Sequence, residues 1–264
     1  MKTELLQAVL GRESLEEIAM VALEFGRLLM ETGASARNVE EITGQVAAGL
    51  GAERIDARVG YASLSITLGI GPDWITHMRK VGPLGVNQRL YHALRATAAE
   101  MERGGFTVAQ ARGEVDRLLR ASPRHPDWVI VLAVGVACAA FGRLLDVDWA
   151  GVGPIFAAAA LGQIVRHQLA SHKINVFLST AVVAFFASTL CGLGARWAGS
   201  QTVARDMIAP VLLLVPGVPA FNAQFDILEG RPTLGSARAV WVAVNLVFIT
   251  VGVWLARDLL GEGR

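Results

Sequence analysis

Cysteine is almost missing from this chain: Cys138 and Cys191 are the only two in 264 residues. Both fall inside apolar stretches, so they read as packing residues rather than as a disulfide or a metal pair. Charge of one sign is not in excess either, with a formal net charge of +1, and nucleic acid is not expected as a partner. There is no Walker loop, no GxGxxG after a strand, no HExxH and no CxxC. A pump driven by nucleotide hydrolysis in this chain alone is therefore not expected, nor is a cofactor or a metal. Gly33, Ser35 and Arg37 stop one glycine short of a GxSxG elbow, and Ser35 is better explained as a helix N-cap, so the chain is not read as an enzyme.

The second half also lacks charge. Residues 1–126 carry 15 Lys/Arg and 15 Asp/Glu, against 9 and 8 in the remaining 138 residues. Charge-free runs extend over Trp128 to Gly142, Trp149 to Val165, Ile174 to Ala195, Met207 to Phe225 and Ala239 to Ala256. A bilayer-crossing helix needs roughly 20 apolar residues, which the last four supply. The first is short and gains Leu144 and Leu145 if Arg143 snorkels. These runs are apolar all round, whereas helices of a soluble core alternate faces. Five spans are expected, at about 127–145, 149–166, 174–195, 206–225 and 238–257, in a membrane domain covering 126–258. Residues 1–122 are expected to form a separate soluble domain.

Lys2, Glu4, Arg12, Glu13, Glu16 and Glu17 interrupt any apolar core that a signal peptide would need, so the first domain is expected to stay in the cytoplasm. The cytoplasmic flanks then hold Arg117, Arg120, Arg124, Arg166, Lys173, Arg231 and Arg238, and the outer flanks Arg143, Arg196, Arg205 and Arg257. The bias has the right sign, and five spans put the C-terminus in the periplasm.

In the soluble half, Ser14 with Glu17 reads as a capping box, opening a helix that carries Ile18, Val21, Phe25, Leu28 and Leu29 to a stop at Gly33. A second helix fits Ser35 to Leu50, closed by Gly51. The period then switches to alternation. Ile55, Ala57, Val59 and Tyr61 share one face, Leu64, Ile66 and Leu68 repeat the pattern, and Trp74 to Val81 makes a third strand after a turn at Gly69 to Pro72. Two more helices follow, about Asn87 to Arg103 and Thr107 to Arg120, the latter with a Thr107/Gln110 capping box. The fold class expected is a membrane protein: an N-terminal α+β cytoplasmic domain with a three-stranded antiparallel meander, then a five-helix transmembrane bundle.

The stretch richest in function is VLLLVPGVPAFNAQFDILEG. Pro216 and Pro219 lack the N–H of a continuous helix, freeing the carbonyls of Leu212 and Val215, and Gly217 loosens the backbone further. Broken backbone inside a membrane is expected where it is buried in protein or lines a wet cavity, which is where many secondary transporters bind solute. Pro219, Asn222 and Asp226 then fall on one helical face. They read either as a gate or coordination site, with Asp226 as a proton or cation partner, or as a kink with Asp226 simply solvated.

His77, Arg79 and Lys80 end a strand and Asn87 and Arg89 open a helix. They read as a carboxylate site or as an ordinary solvated strand end. His167 and His172 read as headgroup contacts or as simply solvated side chains, and Gln163 and Asn245 as interhelical hydrogen-bonding residues. Gly135, Ala139, Ala157, Ala160, Gly252 and Ala256 allow close helix contact, within a bundle or against a partner, and a homo-oligomer is one option.

Taken with FGRLLMETGASARNVEEI, ITHMRKVGPLGVNQRLY and WVIVLAVGVACAAFGRL, that proline-rich stretch makes the chain resemble the threonine/serine exporter (ThrE) family, and within it the five-helix YjjP-like subunits. The resemblance covers nearly the whole chain. It implies secondary export of small amino acids such as threonine and serine, or of dicarboxylates such as succinate in two-subunit systems, across the bacterial inner membrane. Long family members carry a second, smaller membrane half that this sequence lacks, which implies a YjjB-like partner subunit. The transport residues pointed to are Pro216, Gly217, Pro219, Asn222 and Asp226. Glu40, His77, Arg79, Asn87 and Arg89 are candidate solute contacts in the soluble domain. A membrane-tethered hydrolase and a sensory or assembly protein are the competing readings.

Overall fold

The computed structural model describes residues 2–123 and 125–262, with side chains from Ser14 onward. Arg124 and the side chains of Lys2, Glu4, Arg12 and Glu13 lie outside the described residues. The chain is mostly helical with one small sheet, and it divides into two compact units: Met1–Arg124 with Val218–Ala239, and His125–Gly217 with Val240–Arg264. The division is not linear in sequence. Residues 218–239, read above as the end of the fourth span, the loop after it and the start of the fifth, group with the N-terminal residues.

The first unit opens with α1 (Lys2–Glu31), which runs straight through Ser14. The Ser14 capping box expected above is not formed, because residues 2–13 are themselves mostly good helix formers and the helix begins earlier. Gly33, at φ +92, turns the chain sharply into α2 (Ala36–Gly49). The Ser35 side chain accepts the Asn38 N–H, the N-cap role expected for it. Strands β1 (Arg54–Val59), β2 (Ser63–Ile70) and β3 (Asp73–Lys80) form an antiparallel meander in the order β1-β2-β3. Tyr61 falls beyond β1, in the turn, and is exposed.

Alternation places Leu64, Ile66 and Leu68 on the buried face of β2, in one core with Leu15, Ile18, Phe25 and Leu29 of α1 and Val39 of α2. Each such side chain contributes roughly 1.5–3 kcal/mol when fully buried. Helices α3 (Gln88–Glu102), capped by Asn87, and α4 (Val108–Ala121), with the Thr107/Gln110 capping box, add Leu94, Met101, Val115 and Leu118 to that core.

The second unit contains α5 (Asp127–Leu144), α6 (Trp149–Ser171), α7 (Val176–Trp197), the short α8 (Val203–Asp206), a 3₁₀ helix (Ala209–Leu214) and the distal part of α10 (Pro232–Leu259). Arg143 ends α5 by stacking its guanidinium 4.5 Å from the Trp149 ring centre. Among the described residues α5, α7 and α10 are long and apolar enough to cross a membrane. Val203–Leu214, which is α8 with the 3₁₀ helix, and α9 (Gly217–Leu228) make a fourth candidate if the bent pair is one span. Helix α6 has the length, with 23 residues, but its glycines, Pro154, Gln163 and Arg166 dilute its apolar character.

Candidate functional site

The fourth apolar stretch breaks where Pro216 predicts, with a bend of 65° between its two helical halves. The carbonyls that lose their partners are not those expected. Before the break the backbone is 3₁₀, so each carbonyl seeks the amide three residues on, and the one facing Pro216 is that of Leu213 rather than Leu212. Leu212 O accepts from Val215 N at 3.1 Å, and Val215 O from Gly217 N at 2.9 Å. That last bond takes the amide Leu214 would have used. Pro219 breaks nothing, since it sits in the first turn of α9, where no amide is required.

Side chains from the surrounding helices meet the orphaned carbonyls. Arg166 Nη1 of α6 donates to Leu213 O at 3.0 Å, and Asn245 Nδ2 of α10 donates to Leu214 O at 3.3 Å. Upstream, Ser188 Oγ donates to Met207 O at 2.8 Å, Cys191 Sγ to Asp206 O at 3.1 Å and Cys138 Sγ to Pro210 O at 3.8 Å. Both cysteines therefore serve the irregular backbone as well as packing. The carboxylate of Asp206 is fully buried and accepts from Ser200 Oγ at 2.6 Å and Thr202 Oγ1 at 2.8 Å. Residues 206–214, irregular and largely 3₁₀, are thus mostly buried with several of their carbonyls met by side chains, the condition under which such backbone persists in an apolar medium, while Val215 and Gly217 at the break itself are exposed.

In the first unit, α9 and the start of α10 lie against the corner between α1 and α2, and one face of α9 makes the contacts. Asn222 Nδ2 donates to Gly33 O at 3.1 Å, and Glu229 pairs with Arg37 at 3.5 Å. Asp226 is not solvated: it is 0% exposed and pairs with Arg238, itself 7% exposed, while the Ala36 amide at the start of α2 lies beside the carboxylate. Its Oδ1 is buried without a hydrogen-bond partner among the described residues. Past α9, Arg231 reaches Glu40 from Nε at 3.2 Å and Glu229 from Nη1 at 3.0 Å. Residues 33, 36, 37 and 40 on one side, at helical spacing, meet 222 and 226 of α9 and 229 and 231 of the turn that follows it.

The other candidates are dispersed. Glu40 joins Arg231 to β1, accepting the Val59 N–H at 3.2 Å. Arg79 pairs with Glu24 at 2.7 Å. Burial raises the Glu24 carboxyl, but the hydrogen bond and charge of Arg27, with Arg79, outweigh it and hold it below the ordinary range. Asn87 caps α3 and donates to Ser122 O at 3.2 Å, His77 is half-buried on β3, and Arg89 is exposed.

A pocket of about 390 Å³ opens beside Asn222, lined by Gly33, Ser35, Asn38, Gln88, Tyr91 and Glu229 among others. Asn38 Nδ2 donates to Tyr91 Oη at 3.0 Å across it. Sequence reading missed Tyr91, Asn38 and Arg238. Arg238 alone left a signal, a cation at the edge of an apolar run. Among the described residues no group of three His, Cys, Asp or Glu is placed to hold a metal ion.

A family model described as "Putative threonine/serine exporter" matches residues 20–260. A "Probable succinate transporter subunit YjjP" of Klebsiella aerogenes is 27% identical over 248 residues, covering 92% of this chain and 94% of the relative. The Escherichia coli K12 protein with the same description is 27% identical over 255 residues, covering 94% and 97%. No solved structure matches the chain.

Proposed function

Because the chain belongs to the threonine/serine exporter family, we propose that it is one subunit of a secondary exporter of small solutes, with the broken fourth segment as its gate. The family and the three long apolar helices make it a bacterial membrane protein. In this reading it lies in the inner membrane, with residues 1–122 as a cytoplasmic domain and five spans within 126–258. The fourth span is the bent pair, and α6 is a span despite its polar residues. The N-terminus is cytoplasmic and the C-terminus periplasmic. Residues 218–239, the inner ends of spans four and five in this topology, group with the N-terminal residues, as that orientation requires. The solute is a small amino acid of the threonine/serine type or a small dicarboxylate such as succinate. A smaller YjjB-like subunit completes the pathway, in keeping with the word subunit in the relatives' description.

One observation carries the reading: at Pro216 the chain gives up helical bonding, and Arg166 and Asn245 hold the carbonyls so exposed. A plain anchor has no use for such a break, whereas alternating access needs backbone that can rearrange. The test is efflux from cells overproducing the chain with its partner, loaded with amino acids or dicarboxylates. Faster loss of solute is expected, and Pro216→Ala abolishes it while the protein still inserts. Undiminished efflux in that variant removes the gate.

A further inference from the structure

Gln163 and His167 stand one turn apart on α6 and bond each other, Gln163 Nε2 lying 2.7 Å from His167 Nε2. The bond expected above for Gln163 was to another helix; this one stays within its own. Gln163 is 5% exposed, and the other end of its amide, Oε1, is buried with no hydrogen-bond partner among the described residues. On the far side of the ring, Nδ1 lies 3.8 Å from Oδ1 of Asp127, the first residue of α5, whose side chain is 83% exposed. An exposed carboxylate, a half-buried imidazole and a buried amide thus stand in a row.

A glutamine amide has a donor end and an acceptor end, and the proton on the ring decides which end meets it. When Nε2 is bare, the NH2 group turns to the ring and the carbonyl oxygen is left buried. When both ring nitrogens carry protons, Nδ1–H faces Asp127 and Nε2–H needs an acceptor, so the amide turns over and leaves its NH2 buried instead. A proton taken up at the ring therefore changes the buried group from an acceptor into a donor. Histidine is the side chain whose charge ordinarily changes in the physiological range.

Donors are what the neighbouring backbone is short of. Pro216 brings no N–H, and each carbonyl of the 3₁₀ segment before it has room for a second bond. The same turn of α6 touches that segment: a Cβ at Gly162 would stand 3.5 Å from Leu213 Cδ2, and Arg166 donates to Leu213 O. No other ionisable group on the elements packed against α6 competes for the ring. The 3₁₀ helix has none. Arg143 of α5 stacks on Trp149, Asp206 of α8, next to Arg205, meets Gly151, and Gly194 of α7, two residues before Arg196, meets Pro154, all toward the opposite end of α6. Cys138 of α5 and Cys191 of α7 are turned to the irregular backbone. On α6 itself Arg166 is turned to Leu213 O, while His172 and Lys173 follow its last residue.

We propose that Asp127, His167 and Gln163 form a pH-sensitive switch that sets how firmly the backbone before Pro216 is held, firm when His167 is charged and loose when it is neutral. That this backbone is a gate rests on the exporter reading above; the switch itself does not. Cys138 and Cys191 report on the segment directly, since their thiols donate to Pro210 O and Asp206 O. The test is labelling of the full chain in lipid nanodiscs with a small uncharged maleimide, between about pH 5 and 8, each cysteine followed by peptide mass. Each rate is divided by that of His167→Gln at the same pH, which cancels the ionisation of the thiol itself. His167→Asn serves as the divisor if His167→Gln does not fold. From the alkaline to the acid end the ratio falls about fivefold, the worth of one net hydrogen bond. Gln163→Leu keeps the imidazole and its proton but has no amide to turn, and its ratio stays flat. A flat ratio in wild type, or a step that survives in Gln163→Leu, overturns the switch. Efflux separates the two readings. A flat ratio with export intact overturns the switch and leaves the exporter standing, whereas the expected step with no export of any solute supports the switch and removes the gate.

Discussion

Replacing Arg238 by methionine tests whether α9 and the start of α10 are held together by a buried charge pair. Asp226 is 0% exposed, and among the described residues its Oδ1 has no hydrogen-bond partner and Arg238 alone forms an ion pair with its other oxygen. Arg238→Met removes that cation and leaves a carboxylate in a site water does not reach. Breaking a buried pair from one side costs about 3–5 kcal/mol, or roughly two to three and a half powers of ten in the folding equilibrium. Replacing both members by apolar residues of similar volume is often neutral or stabilising. The double variant Asp226→Leu/Arg238→Met should therefore recover most of what the single one loses. Unfolding of the purified chain in mixed micelles titrated with sodium dodecyl sulfate, followed by tryptophan fluorescence, measures both. A loss below about 1 kcal/mol in Arg238→Met, or a double variant no more stable than the single, refutes the reasoning, because the pair would then behave as a solvated surface contact. Efflux adds a second readout. If the double variant folds but no longer exports, the charges serve transport rather than stability.

Four further outcomes are expected. Asn245→Leu strips the Leu214 carbonyl of its donor and Thr180 of its 3.2 Å contact, costing about 1–3 kcal/mol in the same micelle titration. A Cβ at Gly252 would stand 2.5 Å from Ala181 O and 2.7 Å from Ala184 Cβ, so Gly252→Ala forces α7 and α10 apart and lowers the melting temperature in step with a loss of about 1–3 kcal/mol. Ser35→Ala deletes the N-cap of α2 and costs about 1 kcal/mol, read as a lower melting temperature with unchanged helix content at 25 °C. Glu24, held below the ordinary carboxylate range by Arg27 and Arg79, stabilises fully above its unfolded value and loses that contribution as pH falls through its lower folded value. Arg27→Gln therefore flattens the acid limb of a stability-against-pH profile.

Much of the local structure could be read from the residues alone, because it depends on neighbours in sequence. Alternation at Ile55 to Val59 and Leu64 to Leu68 dictated strands, Ser35 and Thr107 dictated caps, and Pro216 dictated the break. Ser14 misled because a capping pattern is permissive: helix-forming residues before it let the helix run on. The identity of the orphaned carbonyls turned on whether the backbone before Pro216 was α or 3₁₀, a choice set by packing.

What composition and periodicity determined by themselves was that the chain carries long apolar helices, a small antiparallel sheet and a helix interrupted at Pro216, since hydropathy, side-chain period and the missing proline N–H are properties of adjacent residues. The tertiary structure alone decided which distant groups complete them. Asp226 could be read as a solvated charge until Arg238, twelve residues on, and Ala36, far upstream, were seen beside it. Asn222, Asn38 and Tyr91 became one pocket only when α9 lay against the α1–α2 corner. Hydrogen bonds and ion pairs act over a few ångströms, and nothing in the linear order of residues 33, 91, 222 and 238 reports that those ångströms are shared.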